Sequence, residues 1–356
     1  METADFDYDL PEQAIAQVPI EPRDRARLLV DRGKAHEPEH RTVADLPTLV
    51  RPGDVIVVNT TRVLPARLRL HKPTGGAVEV LLLERLANLP PNVDTERHER
   101  GRVRSSTWDA LVRPSRKVAP GTVLEAGPDL AVELGPHATD ESDGVRRVIL
   151  HTAEGTDELD ALARHGAVPL PPYITAELAD PERYQTVFAE RPESVAAPTA
   201  GLHLTPEVLA ACEANGATIA TVELAVGLGT FRPMTADRVE DHHMHTERYR
   251  VPEATRAACE RADRVVAIGT TAVRALESAA RRGEAEGRTD LFIRRPFDWQ
   301  VVDVLLTNFH LPRSSLLVLV DAFVGPRWRD LYATALAGGY RFLSFGDAML
   351  LERSPS

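Results

Sequence analysis

Short apolar runs bounded by turn residues predict the strands of this chain. The first is Asp54–Asn59, a run of Val and Ile behind a Pro-Gly turn, which predicts a buried strand. From residue 63 to residue 152, short β-rich runs alternate with Gly, Pro and charged turns and show no helical period. This texture predicts a small β-barrel or sandwich. Its strand candidates are 77–83, 108–112, 122–125 and 147–151.

Beyond residue 155, strands and helices alternate. Thr205 is a typical N-cap and Gly216 a typical stop for a helix at 206–215. The other candidates are helices at 252–262, 271–282 and 327–337 and strands at 217–224, 264–269, 301–305 and 316–320. The alternation predicts an α/β fold with a mainly parallel, helix-covered sheet. Because the early strand also has a buried pattern, we expect a discontinuous α/β domain, 1–62 and 153–356, with residues 63–152 as an inserted small β-barrel domain.

Composition narrows the class of protein. The chain has 356 residues, of which 43% are hydrophobic and 27% charged, an ordinary globular composition long enough for two domains. It contains no run of about 18 apolar residues and starts with an acidic segment, so we expect a cytoplasmic protein without membrane contact. We also expect a monomer. The two cysteines, Cys212 and Cys259, have no partners at metal-ligand spacing, which excludes a disulfide scaffold or a zinc ribbon.

Charge is unevenly distributed along the chain. The net charge of −11 argues against a protein that binds nucleic acid over its whole surface. Residues 62–117, however, hold 12 Lys or Arg against 6 Asp or Glu. This region either docks RNA, through Arg113, Arg116 and Lys117, or is an ordinary solvated surface, and the sequence leaves both open.

The segment around Gly269 has the features of an anion site. An apolar strand runs into Gly269, Thr270 and Thr271, where the helix begins, so hydroxyls, free N–H groups and the helix dipole coincide. Arg274, one turn along, either clamps the anion or pairs with Glu277 on its own helix.

A second candidate lies at residues 195–203. Pro198, Thr199 and Gly201 stand among alanines, so the backbone can approach a flat ligand closely. His203 can act as an acid or base near neutral pH. A tight structural turn with a capping histidine is the alternative.

Two further segments carry polar groups beside strand candidates. Glu223 precedes a turn with Gly227, Gly229 and Thr230, which only weakly resembles the nucleotide site of ordinary methyltransferases. Between later strand candidates, Asn308 offers a paired donor and acceptor suited to the edge of a base.

Three histidines and two carboxylates crowd residues 241–247. An extended segment would put Asp241, His243, His245 and Glu247 on one face, although the spacing fits no common zinc helix. A metal site, a metal-free acid/base cluster and a solvated loop therefore remain open.

The order of these motifs is more specific than any one of them. With SVAAPTAGLH, GTTAVRALES and TNFHLP, and with Arg183–Phe188 and Gly346–Met349 among shorter matches, the chain resembles the S-adenosylmethionine:tRNA ribosyltransferase-isomerases of queuosine biosynthesis from residue 5 to about residue 351. The resemblance implies transfer and isomerisation of the ribosyl group of S-adenosylmethionine onto 7-aminomethyl-7-deazaguanine at the tRNA wobble position. The product would be epoxyqueuosine, with adenine and methionine released. It implies S-adenosylmethionine as co-substrate and no metal or other cofactor.

The resemblance also implies roles for particular residues. Catalytic candidates are His203, His245, His310 and Asp241, and binding candidates besides the motif residues above are Asn59, Arg62 and Phe309. The chain departs from the family pattern at Thr60, where Asn is usual, at Ala225, where His is usual, and around residues 293–298. Two alternatives remain: the same ribosyl chemistry on a small-molecule acceptor, and a non-catalytic S-adenosylmethionine- or RNA-binding protein.

Overall fold

The computed structural model describes residues 1–86, 104–137, 145–227 and 233–354. These residues form two compact units. Unit 1 comprises Met1–Arg62 and Leu170–Ser356, and unit 2 comprises Val63–Pro169, which lies between them in the chain. No helix of the described residues is long and apolar enough to cross a lipid bilayer.

The described elements are as follows. The strands are β1 Arg27–Asp31, β2 Glu39–Thr42, β3 Asp54–Asn59, β4 Thr61–Val63, β5 Arg67–His71, β6 Ala77–Arg85, β7 Arg104–Arg113, β8 Val123–Gly127, β9 Leu130–His137, β10 Val145–Thr152, β11 Arg191–Ser194, β12 Thr218–Leu224, β13 Glu247–Arg250, β14 Arg264–Ile268, β15 Glu286–Thr289, β16 Val304–Asn308 and β17 Ala348–Glu352. The helices are α1 Leu46–Leu49, α2 Glu158–His165, α3 Pro206–Ala214, α4 Glu253–Arg261, α5 Thr270–Arg282, α6 Ser315–Val324 and α7 Trp328–Ala337.

Unit 1 is built on a nine-stranded sheet in the order β15-β13-β12-β3-β14-β16-β17-β1-β2. The ladders from β12 through β3 and β14 to β16 are parallel, as is the ladder of β17 with β1, whereas the others are antiparallel. The expectation of a mainly parallel sheet is therefore wrong, and the sheet is mixed. One reason is that two helices, α6 and α7, separate β16 from β17. A helix pair returns the chain to the edge that it left, so the next strand runs antiparallel.

Side chains of the central strand β3 divide between two apolar layers, because alternate residues of a strand face opposite sides of the sheet. Val55 and Val57 pack in the layer that contains α5, α6 and α7. Ile56 and Val58 pack in the layer that contains α3. The sheet is therefore covered on both faces, as the α/β pattern predicts.

The strand directions bring several chain segments to one edge. Asn308, at the end of β16, pairs with Ala348 at the start of β17, and Ala348 pairs with Leu28 at the start of β1. We call this the site edge: it holds the carboxyl ends of β3, β12, β14 and β16 and the amino ends of β1 and β17. Ligands of open α/β sheets commonly bind at such carboxyl ends.

One predicted strand of unit 1 is a helix. Residues 316–320 belong to α6, where the Ser314 hydroxyl caps the N–H of Leu317 at 3.2 Å. A helix buried on nearly all sides gives an uninterrupted apolar run, which periodicity cannot distinguish from a buried strand. By contrast, α3 is confirmed with its predicted cap, since Thr205 Oγ1 accepts a hydrogen bond from the Val208 N–H at 3.2 Å.

Unit 2 is a six-stranded antiparallel sheet in the order β5-β6-β7-β10-β9-β8. Its end strands β5 and β8 also contact each other, so the sheet is nearly closed and barrel-like. The unit extends to Pro169, whereas the predicted boundary was residue 152. The added segment contains α2. At the end of this helix, His165 Nε2 lies 2.6 Å from Asp129 Oδ1, and just after it Ala167 forms two backbone hydrogen bonds with Arg67.

Asn59 joins the ends of two central strands in unit 1. Its side-chain Nδ2 donates to the carbonyl of Leu224 at 3.1 Å, and its Oδ1 accepts from the backbone N–H groups of Leu224 and Thr61, both at 3.2 Å. The residue is fully buried. Its amide therefore replaces backbone pairing where β3 and β12 separate, with both lone pairs of Oδ1 and one N–H of Nδ2 in use.

We expect Asn59→Ala to lower the free energy of unfolding of unit 1 by about 2–4 kcal/mol, because the buried backbone groups lose their partner. The measurement is urea unfolding followed by Trp fluorescence in a Trp108→Phe background. Trp108 lies in unit 2, so the remaining Trp299 and Trp328 report on unit 1 alone.

Asn215→Ala is the matched control for this change. Asn215 is exposed and its side chain donates one hydrogen bond, to the Pro47 carbonyl at 2.7 Å. We expect a loss below about 1 kcal/mol there. Equal losses in the two variants would contradict the structural role of Asn59.

Candidate functional site

The helix start at Gly269 lies against the turn at residues 199–203. Gly269 has φ +88°, and a Cβ placed there would lie 3.6 Å from the Cβ of Ala200. Its N–H donates to the Leu306 carbonyl at 2.7 Å, which ties the turn before α5 to β16. Two of the predicted site segments, around Gly269 and around Gly201, therefore meet at the site edge.

Two donors on α5 lack partners. The Thr271 hydroxyl and Nη2 of Arg274 are buried and have no hydrogen-bond partner in the described part of the chain. The two residues are three apart, so their side chains share a face of the helix. Thr270 is buried beside them at the first helical position. A buried donor without a partner is costly, which makes this face a candidate for binding an acceptor.

Arg274 pairs with Glu247 rather than with Glu277. Both side chains of the Arg274–Glu247 pair are only 5% exposed, and Nε of Arg274 also donates to the Leu291 carbonyl at 3.2 Å. Glu277 instead accepts from the backbone N–H groups of residues 300–302. Of the two alternatives for Arg274, pairing with Glu277 on its own helix is not formed, because a loop supplies donors to Glu277.

Glu247 also holds the glycine turn after β12. Its Oε1 accepts from the Gly227 N–H at 2.9 Å. Glu223, at the end of the same strand, is paired with Arg191 at 3.3 Å and Arg250 at 3.5 Å. Gly229 and Thr230, the other candidates of this turn, lie outside the described residues.

Asn308 connects the turn at 199–203 to the sheet. Its Nδ2 donates to Nε2 of His203 at 2.9 Å, and its Oδ1 accepts from the Thr199 hydroxyl at 2.9 Å. With this assignment of the amide, Nε2 of His203 is an acceptor and the ring proton is on Nδ1. Pro198 precedes this turn and is buried. The sequence-predicted residues Thr199, His203 and Asn308 are thus in direct contact.

His203 is held in its neutral form. Burial lowers the pKa of its imidazole to about 4, and the nearby Asp347 carboxylate acts in the opposite direction. The cationic Arg341, Arg183 and Arg23 lower it further. Because the folded-state pKa lies below the unfolded value of about 6.5, the stability from the neutral ring is complete above that pH and is lost as the pH falls towards 4.

Gly201 is required by close packing in the same turn. A Cβ at this position would lie 2.6 Å from the Phe188 ring and 3.0 Å from Cγ2 of Thr186. The structure therefore supports a close approach, but of protein side chains. Whether a flat ligand also lies against this turn stays a prediction.

His310 and Phe309 occupy the interior. Nε2 of His310 is 2.9 Å from the Thr307 hydroxyl, and burial lowers the pKa of the ring to about 3. Phe309 is fully buried, stacked on Phe342 with 4.6 Å between ring centroids. Packing explains Phe309 without a ligand.

The histidine-rich segment is only partly as expected. Asp241, His243 and His245 are exposed, whereas Glu247 is buried, and strand pairing begins only at Glu247. Glu247 therefore does not join the three exposed residues on one face. Among the described residues, no group of three or more His, Cys, Asp or Glu could hold a metal ion.

The remaining candidates are charged and more exposed. Arg62 forms an ion pair with Glu182. Arg113, Arg116 and Lys117 of unit 2 are all exposed, at the end of β7 and in the short 3₁₀ turn that follows.

The sequence did not single out the charged residues that act on His203, which are Asp347, Arg23, Arg183 and Arg341. Asp347 is buried at the start of β17, and its carboxylate accepts from the backbone N–H groups of Arg27 at 2.9 Å and Arg341 at 2.8 Å. Asp347 and Arg183 stand in the motifs 346–349 and 183–188 that carry the family resemblance, which was the available signal.

Comparisons with known proteins match nearly the whole chain. The sequence model of a family described as "Queuosine biosynthesis protein" matches residues 3–351. The S-adenosylmethionine:tRNA ribosyltransferase-isomerase of Rubrobacter xylanophilus is 47% identical over 352 residues, 99% of this chain and 98% of that protein. The protein of that name from Thermus thermophilus is 49% identical over 362 residues, 97% of this chain and 98% of its own. This chain is also similar to the crystal structure of S-adenosylmethionine tRNA ribosyltransferase from Thermotoga maritima, with a TM-score of 0.52 and 36% identity. The similarity covers 98% of this chain and 99% of that chain.

We expect the His203 ring to titrate near pH 4 in the folded protein, because burial disfavours its charged form. NMR of protein labelled in its histidine rings measures this, and the signals absent from the spectrum of His203→Gln identify the residue. Titration of the His203 ring near the unfolded value of about 6.5 would contradict its buried environment.

Proposed function

The chain belongs to the family of queuosine biosynthesis proteins, and from this premise we propose that it is an S-adenosylmethionine:tRNA ribosyltransferase-isomerase. It transfers the ribosyl part of S-adenosylmethionine to 7-aminomethyl-7-deazaguanine at the tRNA wobble position. Isomerisation gives epoxyqueuosine, and adenine and methionine are released. Unit 2 is, in this proposal, a β-barrel domain inserted into the α/β domain.

The observation that carries the site assignment is the pair of unpartnered donors on α5. The Thr271 hydroxyl and Nη2 of Arg274 can bind a carboxylate. The positive end of the helix dipole lies at the start of α5 and also favours a negatively charged group. Glu247 keeps the guanidinium in place. We assign this face to the carboxylate of the methionine part of S-adenosylmethionine.

The reacting carbon would then lie towards His203. The sulfonium of S-adenosylmethionine acidifies the protons on the adjacent ribose carbon, and a neutral imidazole can accept one. His203 is neutral at pH 7, and the Asp347 carboxylate favours the imidazolium that proton transfer would form. We propose His203 rather than His310, because burial lowers the pKa of His310 to about 3, whereas the Asp347 carboxylate partly offsets the lowering at His203. Asn308 orients this imidazole, since its Nδ2 donates to Nε2 of His203 at 2.9 Å and also to the Asp347 carbonyl at 3.4 Å.

Release of adenine tests the function directly. We propose release that requires tRNA carrying the precursor base. Release with a small amine alone would favour a small-molecule acceptor, and the absence of release would favour a non-catalytic binding protein. A monomeric state, a cytoplasmic location and the lack of a metal or other cofactor stay predictions.

Thr271→Val and His203→Ala should affect different steps of the reaction. We expect Thr271→Val to weaken S-adenosylmethionine binding by about 0.5–1.5 kcal/mol, measured by calorimetry, because one hydrogen bond is lost. We expect His203→Ala to lower kcat by about two to four orders of magnitude with a smaller effect on binding, as a lost acid/base group does.

Thr218→Val is the control for the threonine change. Thr218 is exposed at the amino end of β12, the edge of the sheet opposite the site edge. Its substitution should leave S-adenosylmethionine binding unchanged. Normal S-adenosylmethionine binding in Thr271→Val would contradict the proposed carboxylate site. Full turnover in His203→Ala would contradict the assignment of His203 as the base.

RNA docking by unit 2 makes a separate prediction. Combined replacement of Arg113, Arg116 and Lys117 with Ala should reduce the dependence of tRNA binding on salt by up to about 2–3 released counterions, because each phosphate contact contributes about 0.9. The measurement is tRNA affinity at several salt concentrations. If the salt dependence of tRNA affinity equals that of the unaltered protein, these three residues do not dock the RNA.

A further inference from the structure

Three guanidinium groups converge on one loop beside His203. Nη1 of Arg341 donates to the carbonyl of Val18 at 3.2 Å, and Nη2 of Arg183 donates to the carbonyl of Ile20 at 2.9 Å. Arg23 follows three residues later on the same loop. The arginines come from three distant parts of the sequence, and only the fold of unit 1 brings them together. We call Arg23, Arg183 and Arg341 the arginine cluster.

The cluster is linked to the proposed catalytic histidine. Nη1 of Arg23 donates to the carbonyls of Gln185 at 2.7 Å and Leu202 at 3.4 Å, and Leu202 precedes His203 in the chain. All three arginines lower the pKa of His203 through their charge, which is consistent with their lying close to it. Arg23 and Arg341 lie just before β1 and β17, whose amino ends belong to the site edge.

Hydrogen bonding in the cluster is incomplete. Nη1 of Arg183 and Nη2 of Arg341 are buried and find no hydrogen-bond partner within the described ranges. The Thr186 hydroxyl, three residues from Arg183, is buried and unpartnered in the same way. The bonds that the arginines do form run largely to carbonyl groups, which accept hydrogen bonds but do not neutralise charge.

The carboxylates around the cluster are either exposed or already occupied. Glu21 pairs with Arg183, but its side chain is 67% exposed, so water screens much of this interaction. The Asp347 carboxylate is occupied by the backbone of Arg27 and Arg341 and by the Arg27 guanidinium. The pKa of Arg23 is lowered by burial first and then by the charge of Arg183, while the exposed carboxylates of Glu21, Asp180 and Glu182 act in the opposite direction. A bound anion would remove this repulsion and use the free donors.

We propose that the arginine cluster binds a phosphodiester group of the acceptor tRNA next to the nucleotide that is modified. The inference rests on the proposed function, in which that nucleotide must reach His203 and so brings its own phosphates to the site edge. Planar, forked donors are the groups that bind phosphate oxygens best. The carboxylate of S-adenosylmethionine is the other anion available and is assigned to Thr271 and Arg274 on α5.

The test compares Arg183→Gln, Arg341→Gln and the double variant with Arg261→Gln. Arg261 is exposed at the end of α4, just before the amino end of β14, on the edge opposite the site edge. The affinity for precursor tRNA is measured at several salt concentrations, and S-adenosylmethionine affinity by calorimetry. Each cluster variant should weaken tRNA binding about tenfold and lower the salt slope by about one counterion, while Arg261→Gln and all S-adenosylmethionine affinities stay unchanged.

Two further measurements separate binding from folding. Arg341→Lys keeps the charge, so it should retain the salt slope while losing part of the affinity, because the forked geometry is lost. In the unaltered protein, bound tRNA, but not S-adenosylmethionine, should protect Arg183 and Arg341 from an arginine-specific reagent, as read by mass spectrometry. This measurement needs no variant to fold.

Three results would overturn the proposal: tRNA affinity equal in the cluster variants and Arg261→Gln, absence of protection by tRNA, or loss of S-adenosylmethionine affinity instead. The last would identify the anion as the carboxylate. Failure of the proposed function is seen separately, as unaltered protein that releases no adenine with precursor tRNA, since the cluster is judged on binding alone.

Discussion

The side-chain amide of Asn308 is bonded at both ends, and the arrangement of the site edge depends on it. Its oxygen holds Thr199 and its nitrogen holds His203, both at 2.9 Å. The turn at 199–203 has few backbone bonds of its own to the sheet, so this amide sets where the histidine lies relative to β16. It also fixes the ring proton on Nδ1. Burial of the amide and the imidazole together makes both bonds hard to replace, because each partner would otherwise be left unsatisfied.

The two cationic regions of the site edge differ in how their charge is compensated. On α5, the charge of Arg274 is compensated by a buried carboxylate, Glu247, while one guanidinium donor stays without a partner in the described part of the chain. In the arginine cluster, three positive charges face exposed carboxylates and Asp347, which is already occupied. The first region suits a small ligand with a single charge, whereas the second suits a polyanion that supplies charge from outside.

Much of the fold was predictable where local chemistry and long-range packing agree. α3 has a Thr cap, a proline in its first turn and a glycine after its end, and it lies where this pattern predicts. The Gly269 turn and α5 follow for similar reasons. α6 was assigned wrongly because a helix buried on nearly all sides has no polar face, and the mixed direction of the sheet was missed because pairing of strands distant in sequence leaves no local pattern. The same holds for the site: Thr271, Arg274, His203 and Asn308 were found as motifs, but Asp347 and the arginine cluster were not.

The amino-acid sequence by itself determined the α/β character, the β-rich central segment, the family and the residue types at the ends of the strands. Caps, glycine turns and apolar periodicity act over a few residues, so they can be seen without the fold. Only the tertiary structure decided which partners these residues have: that Arg274 pairs with Glu247 and not Glu277, that Asn59 bonds the backbone of β12, and that Arg341 bonds the loop that carries Arg23. Such choices depend on distances between segments that are separate in the sequence and on burial, which sets the strength of each charge and hydrogen bond.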